Sequence, residues 1–275
     1  MLLGRILLLF QEKVMSEFIE ITSKDNQLIK FVGLLQNSSK QRRNNRLFVL
    51  EGLRICLDAF ENNIKIDKLI VTKDALNKYK EKIEELKKIS DSCYILRDDL
   101  FKKIIDTNTP QGIIAVAKFP EISKVVSENG RYIALENISD PSNLGAIART
   151  AEALGVSGII VSLDGCDPYS PKSLRASMGT LLRMPVFVTD DIIKFIKDNS
   201  LRSFACVVEK TAEPIYNCKF NGGDVLLIGN EANGLERQTK TDAEKLVTIP
   251  MSGKAESLNA AAAASIAMWE MMKQK

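Results

Sequence analysis

Short apolar runs alternate with amphipathic stretches along most of this chain, and that alternation restricts the fold more than any other feature. From residue 131 onward, strand-like runs at 132–135, 157–161 and 225–228 are separated by segments with helical spacing. Such an alternation is typical of a mostly parallel, doubly wound α/β sheet. A similar rhythm over residues 47–117 predicts a second, smaller α/β domain before it.

Residues 118–130 have no clear period and contain Phe-Pro and Glu-Asn-Gly, so we interpret them as a linker. This predicts a domain at 16–117 and another at 131–275. Residues 1–15 are predicted to be a peripheral extension, with Met15 as an alternative start. Their apolar part is too short for a membrane span of about 20 residues, and we expect a cytoplasmic protein without a membrane partner.

The chain of 275 residues contains no histidine and five cysteines. Lacking histidine, it cannot form a Ser-His-Asp triad, and most kinds of zinc site are excluded as well. The cysteines, at positions 56, 93, 166, 206 and 218, form no C-x-x-C pair. We therefore expect reduced thiols and no metal site.

Positive charge is concentrated in the first part of the chain. Residues 1–120 carry 21 Lys/Arg against 16 Asp/Glu, whereas residues 121–275 carry 17 against 19. Arg42, Arg43 and Arg46 fall in a polar stretch that we interpret as a loop. It could contact phosphates of a nucleic acid, or it could be a solvated turn.

The closing stretch Ile249-Pro-Met-Ser-Gly-Lys-Ala-Glu-Ser-Leu-Asn259 precedes five consecutive alanines. The pattern predicts a strand end, a bending polar loop, and a helix that Ser257 caps. Amide groups at a helix start favour anionic groups, so the loop could hold a polar ligand. The alternative is an ordinary loop followed by an alanine-rich core helix.

Two further blocks precede it: Asn143-Leu-Gly-Ala-Ile-Ala-Arg149-Thr and Gly229-Asn-Glu231-Ala-Asn-Gly234-Leu. In this order, the three blocks resemble the three motifs of the SpoU (TrmH-type) RNA ribose 2′-O-methyltransferases of the SPOUT superfamily. The resemblance covers about residue 131 to the C terminus. It implies a C-terminal parallel-sheet α/β domain with a trefoil knot, which no composition or periodicity reveals.

The same resemblance implies S-adenosylmethionine as the cofactor, held at Gly229, Ile249 and Leu258 largely through the backbone. Core packing is the alternative role for Ile249 and Leu258. The chain has neither the G-x-G-x-x-G pattern of dinucleotide-binding folds nor the P-loop of NTPases.

The resemblance also implies a catalytic set: Arg149, Asn143, Glu231, Ser257 and Asn259. A guanidinium stays protonated, so we expect Arg149 to anchor an RNA phosphate and to stabilise the developing alkoxide rather than act as a base. Glu231 could hold Arg149 or Asn143 in place, and Ser257 and Asn259 could orient the ribose. The alternatives are a solvated Arg149 and a turn carboxylate at Glu231.

The N-terminal domain resembles, more weakly, the L30e-like substrate-binding domain found in such enzymes, through Arg46-x-Phe48-x-x-Glu51-Gly52-x-Arg54. We predict that this domain chooses the RNA, and that the RNA-binding residues are Arg42, Arg43, Arg46, Arg54, Lys172 and Arg175. The expected activity is 2′-O-methylation of a structured RNA, ribosomal before transfer RNA, by a homodimer. The alternative is a non-catalytic RNA-binding protein that keeps the fold.

Overall fold

The computed structural model describes residues 17–107, 109–121 and 126–273. The predicted extension at residues 1–15, including Met15, lies outside this range. The chain divides into two compact units, the first ending at Pro120 and the second beginning at Glu121.

The first unit is built on a mixed sheet with strand order β1-β4-β3-β5-β2 among its described residues. Strands β1, β4 and β3 are parallel, whereas β5 runs antiparallel to both β3 and β2. The carboxyl ends of β2, β3 and β4 therefore meet at one edge. The strands are β1 (Phe18–Ile21), β2 (Leu47–Glu51), β3 (Ile66–Thr72), β4 (Ser90–Leu96) and β5 (Ile113–Lys118).

Helices cover this sheet and bury apolar residues such as Val32, Leu35 and Leu86. They are α1 (Gln27–Asn37), α2 (Ser39–Asn45), α3 (Leu53–Glu61), α4 (Lys73–Lys78), α5 (Lys80–Lys88) and α6 (Asp98–Phe101), with a 3₁₀ turn at Lys102–Ile104. The prediction of a loop around Arg42 is wrong. The Ser38 side chain accepts a hydrogen bond from the Gln41 amide and caps a helix there.

The second unit contains a sheet in the order β10-β12-β9-β11-β6-β7-β8, and its recorded strand pairs are all parallel. This confirms the predicted parallel-sheet α/β domain. The strands are β6 (Tyr132–Leu135), β7 (Gly158–Ser162), β8 (Val186–Thr189), β9 (Arg202–Cys206), β10 (Glu213–Pro214), β11 (Asp224–Ile228) and β12 (Lys245–Thr248).

Its helices are α7 (Pro141–Leu154), α8 (Pro171–Ala176), α9 (Thr180–Arg183), α10 (Ile192–Asp198), α11 (Arg237–Asp242) and α12 (Ala260–Met272). The spacing of apolar residues over 173–182 predicts a single helix, but the helix is broken between α8 and α9, where Met178 and Gly179 have φ of 49° and 83°. The last helix starts later than predicted, because Asn259 rather than Ser257 caps it.

Small residues bring the helices of the second unit close together. A Cβ added at Gly145 in α7 would lie 2.4 Å from Ala176 Cβ, so α8 can approach only a glycine there. Ala264 and Ala267 of α12 are fully buried, and Ser265 shares a hydrogen bond of 3.2 Å with Thr150 of α7. The alanine run thus serves helix packing within the chain.

All five cysteines are free, and Cys56, Cys93 and Cys218 are buried. Burial raises the pKa of the Cys56 thiol to about 12, which keeps it protonated. Within the described part of the chain, no group of three or more acidic or cysteine side chains is placed to hold a metal ion. None of the described helices has the length and apolar character needed to cross a bilayer.

Candidate active site

Three loops leave the second sheet at its carboxyl edge, where ligands bind in open parallel sheets. The first follows β6 and leads into α7 at Pro141. The second follows β11 and begins at Gly229. The third follows β12 and runs from Ile249 to Asn259. The three sequence blocks are therefore brought to one edge because the strands before them are parallel.

Glu231 joins the first two loops. Its Oε2 accepts hydrogen bonds from the Ser139 amide at 3.1 Å and the Ser139 hydroxyl at 2.9 Å. Its Oε1 accepts from the Asp140 amide at 3.1 Å and from Asn143 Nδ2 at 2.8 Å. Glu231 therefore holds Asn143, as one of the two predicted options had it, and both of its oxygens are occupied.

Asn143 links the first loop to the third through a side-chain hydrogen bond. Its Oδ1 accepts a hydrogen bond of 3.1 Å from Asn259 Nδ2. Asn259 Oδ1 in turn accepts from the Ala261 and Ala262 amides and caps α12. These contacts orient both amides, and Asn143 is only 7% exposed. The chain Glu231–Asn143–Asn259, hereafter the carboxamide relay, fixes the starts of α7 and α12 relative to each other.

The charge state of Glu231 follows from these contacts. Burial acts to raise its pKa, but the hydrogen bonds from Asn143 and from the backbone amides outweigh it and lower the pKa to about 2. The carboxylate is therefore ionised at neutral pH, and it is a poor proton acceptor. Its geometry suits it to position its neighbours.

Gly229 lets the second loop fold back on itself. A Cβ at this position would lie 2.1 Å from Gly234 C and 2.1 Å from Leu235 N. Asn230 and Gly234 close the turn through two backbone hydrogen bonds of 3.0 and 2.9 Å. The loop can therefore adopt this conformation only with a glycine at position 229.

Arg149 stands apart from the carboxamide relay. It lies six residues after Asn143 on α7, roughly 9 Å along the axis, and its side chain is exposed. Among the described residues, none forms a hydrogen bond or ion pair with it. Glu231 does not hold Arg149, and the guanidinium is left facing solvent.

The remaining predicted residues at this edge are exposed or half-buried. Ser257 lies in the third loop and makes no hydrogen bond within the described chain. The prediction that it caps α12 is wrong. Leu258 is 37% exposed, and Ile249 is half-buried. Lys172 is exposed on α8, whereas Arg175 is half-buried.

Two residues at this edge escaped the sequence reasoning. Glu136 follows β6 and is 7% exposed; it accepts a 2.7 Å hydrogen bond from the Glu236 amide and a short one from the Thr239 hydroxyl. Val208 follows β9, the strand between β11 and β12, and is 63% exposed. The position of Glu136 directly after an apolar strand was the available signal, whereas nothing in the sequence distinguished Val208.

The structure does not bring the predicted RNA-binding arginines of the first unit together. Arg42 is 4% exposed, and its Nη1 donates to the Leu35 and Gln36 carbonyls at 2.5 and 3.0 Å, at the end of α1. This occupied, buried guanidinium corrects its assignment as a phosphate contact. Arg43, Arg46 and Arg54 are exposed, but the five residues of β2, spanning roughly 17 Å, separate Arg46 from Arg54.

Residues 130–269 match the SpoU rRNA Methylase family, and residues 26–115 match an MRM3-like substrate binding domain. The chain is 29% identical over 267 residues to a 23S rRNA (uridine(2479)-2′-O)-methyltransferase of Streptomyces viridochromogenes, covering 93% of this chain and 92% of the relative. It is 26% identical over 254 residues to a 23S rRNA (guanosine(2553)-2′-O)-methyltransferase of Bacillus subtilis, covering 92% and 98%.

Among solved structures, an AdoMet-bound rRNA methyltransferase from Sinorhizobium meliloti matches with a TM-score of 0.79 and 28% identity. The match covers 93% of this chain and 98% of that one. The family match covers just over half of the chain and includes all three loops that the carboxamide relay connects. This protein belongs to the SpoU rRNA methylase family.

Proposed function

We propose that this protein transfers the methyl group of S-adenosylmethionine to a ribose 2′-hydroxyl of ribosomal RNA. The observation that carries the proposal is the carboxamide relay, which ties the three motif loops into one site at the carboxyl edge of the sheet. The relatives from S. viridochromogenes and B. subtilis, both 23S rRNA 2′-O-methyltransferases, support ribosomal RNA over transfer RNA.

The residues present fit the cofactor. Gly229 leaves its backbone bare at the end of β11, and Ile249 follows the end of β12. Val208, at the end of the strand between them, and Leu258 expose apolar side chains that can cover an adenine ring. We assign cofactor binding to Gly229, Ile249 and Leu258, and add Val208 to them. Family membership also implies the trefoil knot predicted above.

Bound S-adenosylmethionine supplies an electrophilic methyl group on a sulfonium. The protein must then align the 2′-hydroxyl with it and accommodate the proton that the hydroxyl loses. Glu231 is unsuited to take that proton, because its oxygens are occupied and its pKa is about 2. We therefore assign Glu231 and Asn143 to positioning, with Asn259 and Ser257 beside the ribose.

Arg149 is the remaining group of the motif set with a free polar end. A guanidinium stays protonated, but its planar donors grip a phosphate through two hydrogen bonds. Arg149 would anchor an RNA phosphate and stabilise negative charge that develops on the 2′-oxygen. The proton of the 2′-hydroxyl passes to solvent water as the new methyl–oxygen bond forms, because a phosphodiester oxygen is too weakly basic to hold it.

Ribose methylation mapped in RNA from cells with and without this protein tests the proposal. We expect one or a few 2′-O-methyl groups in ribosomal RNA to disappear without it. An unchanged ribosomal RNA with a lost transfer-RNA methyl group would favour the tRNA alternative. An absence of S-adenosylmethionine binding by calorimetry would favour a non-catalytic RNA-binding protein.

We further propose a homodimer. The small side chains of the alanine run and of Leu144-Ala-Ile-Ala suggest these stretches of sequence as the dimer surface, but the structure favours another one. Leu144, Ile147 and Ala148 are fully buried inside the chain, so they are unavailable to a partner. The outward face of α12 instead exposes Ile266 at 40% and Trp269 at 58%, three positions apart on one side of the helix, and a contiguous exposed apolar patch marks an interface. Small exposed residues of the two helices are Ala146 and Ala153 in α7 and Ala262 in α12.

Sedimentation equilibrium of the wild type and of Trp269→Glu tests this surface. A charge at position 269 would be buried without a partner in the dimer, so the variant should sediment as a monomer. Tyr216→Glu, which alters another exposed aromatic residue (59% exposed), is a control for nonspecific charge effects. A wild type that is monomeric at micromolar concentration would contradict the dimer.

A further inference from the structure

The first unit contains a cavity of about 580 Å³ at the edge where β3 and β4 end. Its walls come from the start of α4, from α6 and from the segment before β5. Tyr79 supplies an aromatic wall, and Lys78 Nζ lies 5.2 Å from the centroid of that ring. The polar side chains around the opening include Asp74, Asp98, Lys102 and Gln111.

The floor of this cavity is held from two sides. Gly112 accepts a 2.9 Å backbone hydrogen bond from Thr72, and a Cβ at Gly112 would lie 2.4 Å from Thr72 Oγ1. Gly112 also has a φ of 74°, which favours glycine. On the other side, Gln111 Oε1 accepts a 2.8 Å hydrogen bond from the Leu53 amide at the start of α3. The cavity is therefore formed in advance of any ligand.

Four charged side chains line the cavity without neutralising one another. Within the described part of the chain, the side chains of Asp74, Asp98 and Lys102 form no ion pair or hydrogen bond, and the Lys78 ammonium lies over the Tyr79 ring. Carboxylates accept hydrogen bonds from amino groups of bases, and lysines bind phosphate. An aromatic wall with acceptors and cations around it is the combination that holds a splayed-out nucleotide.

We propose that this cavity receives one unstacked base of the RNA substrate, which stacks on Tyr79 while Lys78 and Lys102 contact its flanking phosphates. The inference rests on the proposed function, since it presumes an RNA substrate. Asp74 and Asp98 favour a base with an exocyclic amino group, so guanine, adenine or cytosine should bind in preference to uracil. A cavity of this size holds a nucleotide with room for its backbone.

The location favours a polymer over a free nucleotide. Arg54 follows the end of β2 at this same edge, directly after Leu53, to which Gln111 is bonded. An exposed arginine at this edge of the sheet gives the RNA strand a further phosphate contact outside the cavity. The MRM3-like substrate binding domain match, at residues 26–115, contains every residue of this site.

Two variants of the full-length protein isolate the stacking contact. Tyr79→Leu keeps apolar bulk and removes the aromatic face, whereas Tyr79→Phe keeps the ring. With 23S rRNA transcribed from the genome that encodes this chain, Tyr79→Leu should weaken binding about tenfold, as loss of one base–aromatic stack does. Tyr79→Phe and the control Tyr216→Leu, in the second unit, should stay within about twofold of the wild type.

A second measurement reads the cavity directly. The four nucleoside 5′-monophosphates are titrated into the full-length protein while the amide resonances of Ala75, Phe101 and Gly112 are followed by NMR. Saturable shifts with GMP, AMP or CMP that exceed those with UMP are expected, and Asp98→Asn should reduce that preference. Inorganic phosphate should leave these three resonances in place.

Unchanged RNA affinity in Tyr79→Leu would overturn the inference. If mononucleotides nonetheless bind saturably, the cavity is a small-molecule site. Neither result touches the proposed function, which methyl transfer by the same variants reports separately. If the wild type neither binds nor methylates ribosomal RNA, the proposed function fails. An absence of mononucleotide-induced shifts overturns the cavity assignment, whatever the result with ribosomal RNA.

Discussion

The three motif loops of the second unit and the arginines of the first unit show opposite relations between sequence and space. Asn143 lies 88 positions from Glu231 and 116 positions from Asn259, yet its side chain is hydrogen-bonded to both. Arg42, Arg43, Arg46 and Arg54 lie within thirteen positions, yet one is buried and the others are divided by β2.

The difference follows from how each region is built. Parallel strands deliver the residues after them to one edge, so motifs that follow strands converge whatever their separation in sequence. A strand carries its two ends to opposite edges, and a helix turns consecutive residues to different sides. Nearness in sequence is therefore a weaker guide to a shared surface than position relative to strand ends.

The largest effect is expected from Arg149→Ala, which tests whether Arg149 takes part in methyl transfer although it lies outside the carboxamide relay. Loss of one electrostatic stabiliser should reduce the single-turnover rate of methyl transfer by about 100-fold or more. Arg149→Lys should recover only part of the rate, because an ammonium lacks the planar fork. S-Adenosylmethionine affinity and sedimentation serve as controls, and a near-normal rate in folded Arg149→Ala would remove Arg149 from the mechanism.

A smaller effect is expected from Gly229→Ala, which breaks the second loop alone. The new Cβ would meet backbone atoms of Gly234 and Leu235, so the loop must shift. Overpacking of this kind costs about 2 kcal/mol, which corresponds to roughly 30-fold weaker S-adenosylmethionine binding by calorimetry. Gly253→Ala in the third loop, where no atom lies within 4 Å of the new Cβ, should bind normally; equal losses in both would contradict the account.

Glu231→Gln should slow methyl transfer about tenfold, because it loosens the relay without removing a reacting group. The stability that Glu231 contributes also depends on pH. The pKa of Glu231 is lowered in the folded protein, so its stabilising contribution is complete above the ordinary carboxyl pKa and is lost as pH falls towards about 2.

The melting temperatures of wild type and Glu231→Gln should accordingly differ most above about pH 5 and converge towards pH 2. Glu256→Gln, on the exposed third loop, is the matched control and should follow the wild type throughout. A difference that instead grows as pH falls would mean that Glu231 is not held as an ionised hydrogen-bond acceptor.

The smallest effects concern the arginines of the first unit, and they separate a structural role from an RNA-binding one. Arg42→Ala leaves two carbonyls without their charged donor and should lower the free energy of unfolding by about 2 kcal/mol. Arg43→Ala and Arg46→Ala should leave stability unchanged and each reduce the salt slope of RNA binding by about one. Urea denaturation and binding at several salt concentrations make the distinction, which fails if Arg42→Ala alone changes the salt slope.

The sequence predicted the parallel sheet because its strands are continuous apolar runs buried on both faces, such as Gly158–Ser162. It did not reveal β1, β10 or α11, which are short elements of two to six residues whose structure depends on tertiary pairing. The break at Met178 and Gly179 was likewise invisible to periodicity, because small residues continue on both sides of it.

Within the site, the motifs identified Asn143, Glu231 and Asn259, but their mutual hydrogen bonds required the fold. Ser257 was preferred as the cap because serine is a common N-cap, and the structure places the cap two residues later, at Asn259. Val208 could not be recognised from sequence, because an exposed and a buried valine after a strand look alike.

The central claim is that the relay presents a ribose 2′-hydroxyl to the methyl donor. Its most direct test uses purified protein, unmodified 23S rRNA and S-adenosylmethionine with a deuterated methyl group, followed by nuclease digestion and mass spectrometry of the nucleosides. The account predicts a labelled methyl group on the ribose of one nucleoside, in a linkage that resists alkaline cleavage, and much less label with Arg149→Ala. Label on a base, or no label with a protein that binds S-adenosylmethionine and RNA, would contradict it.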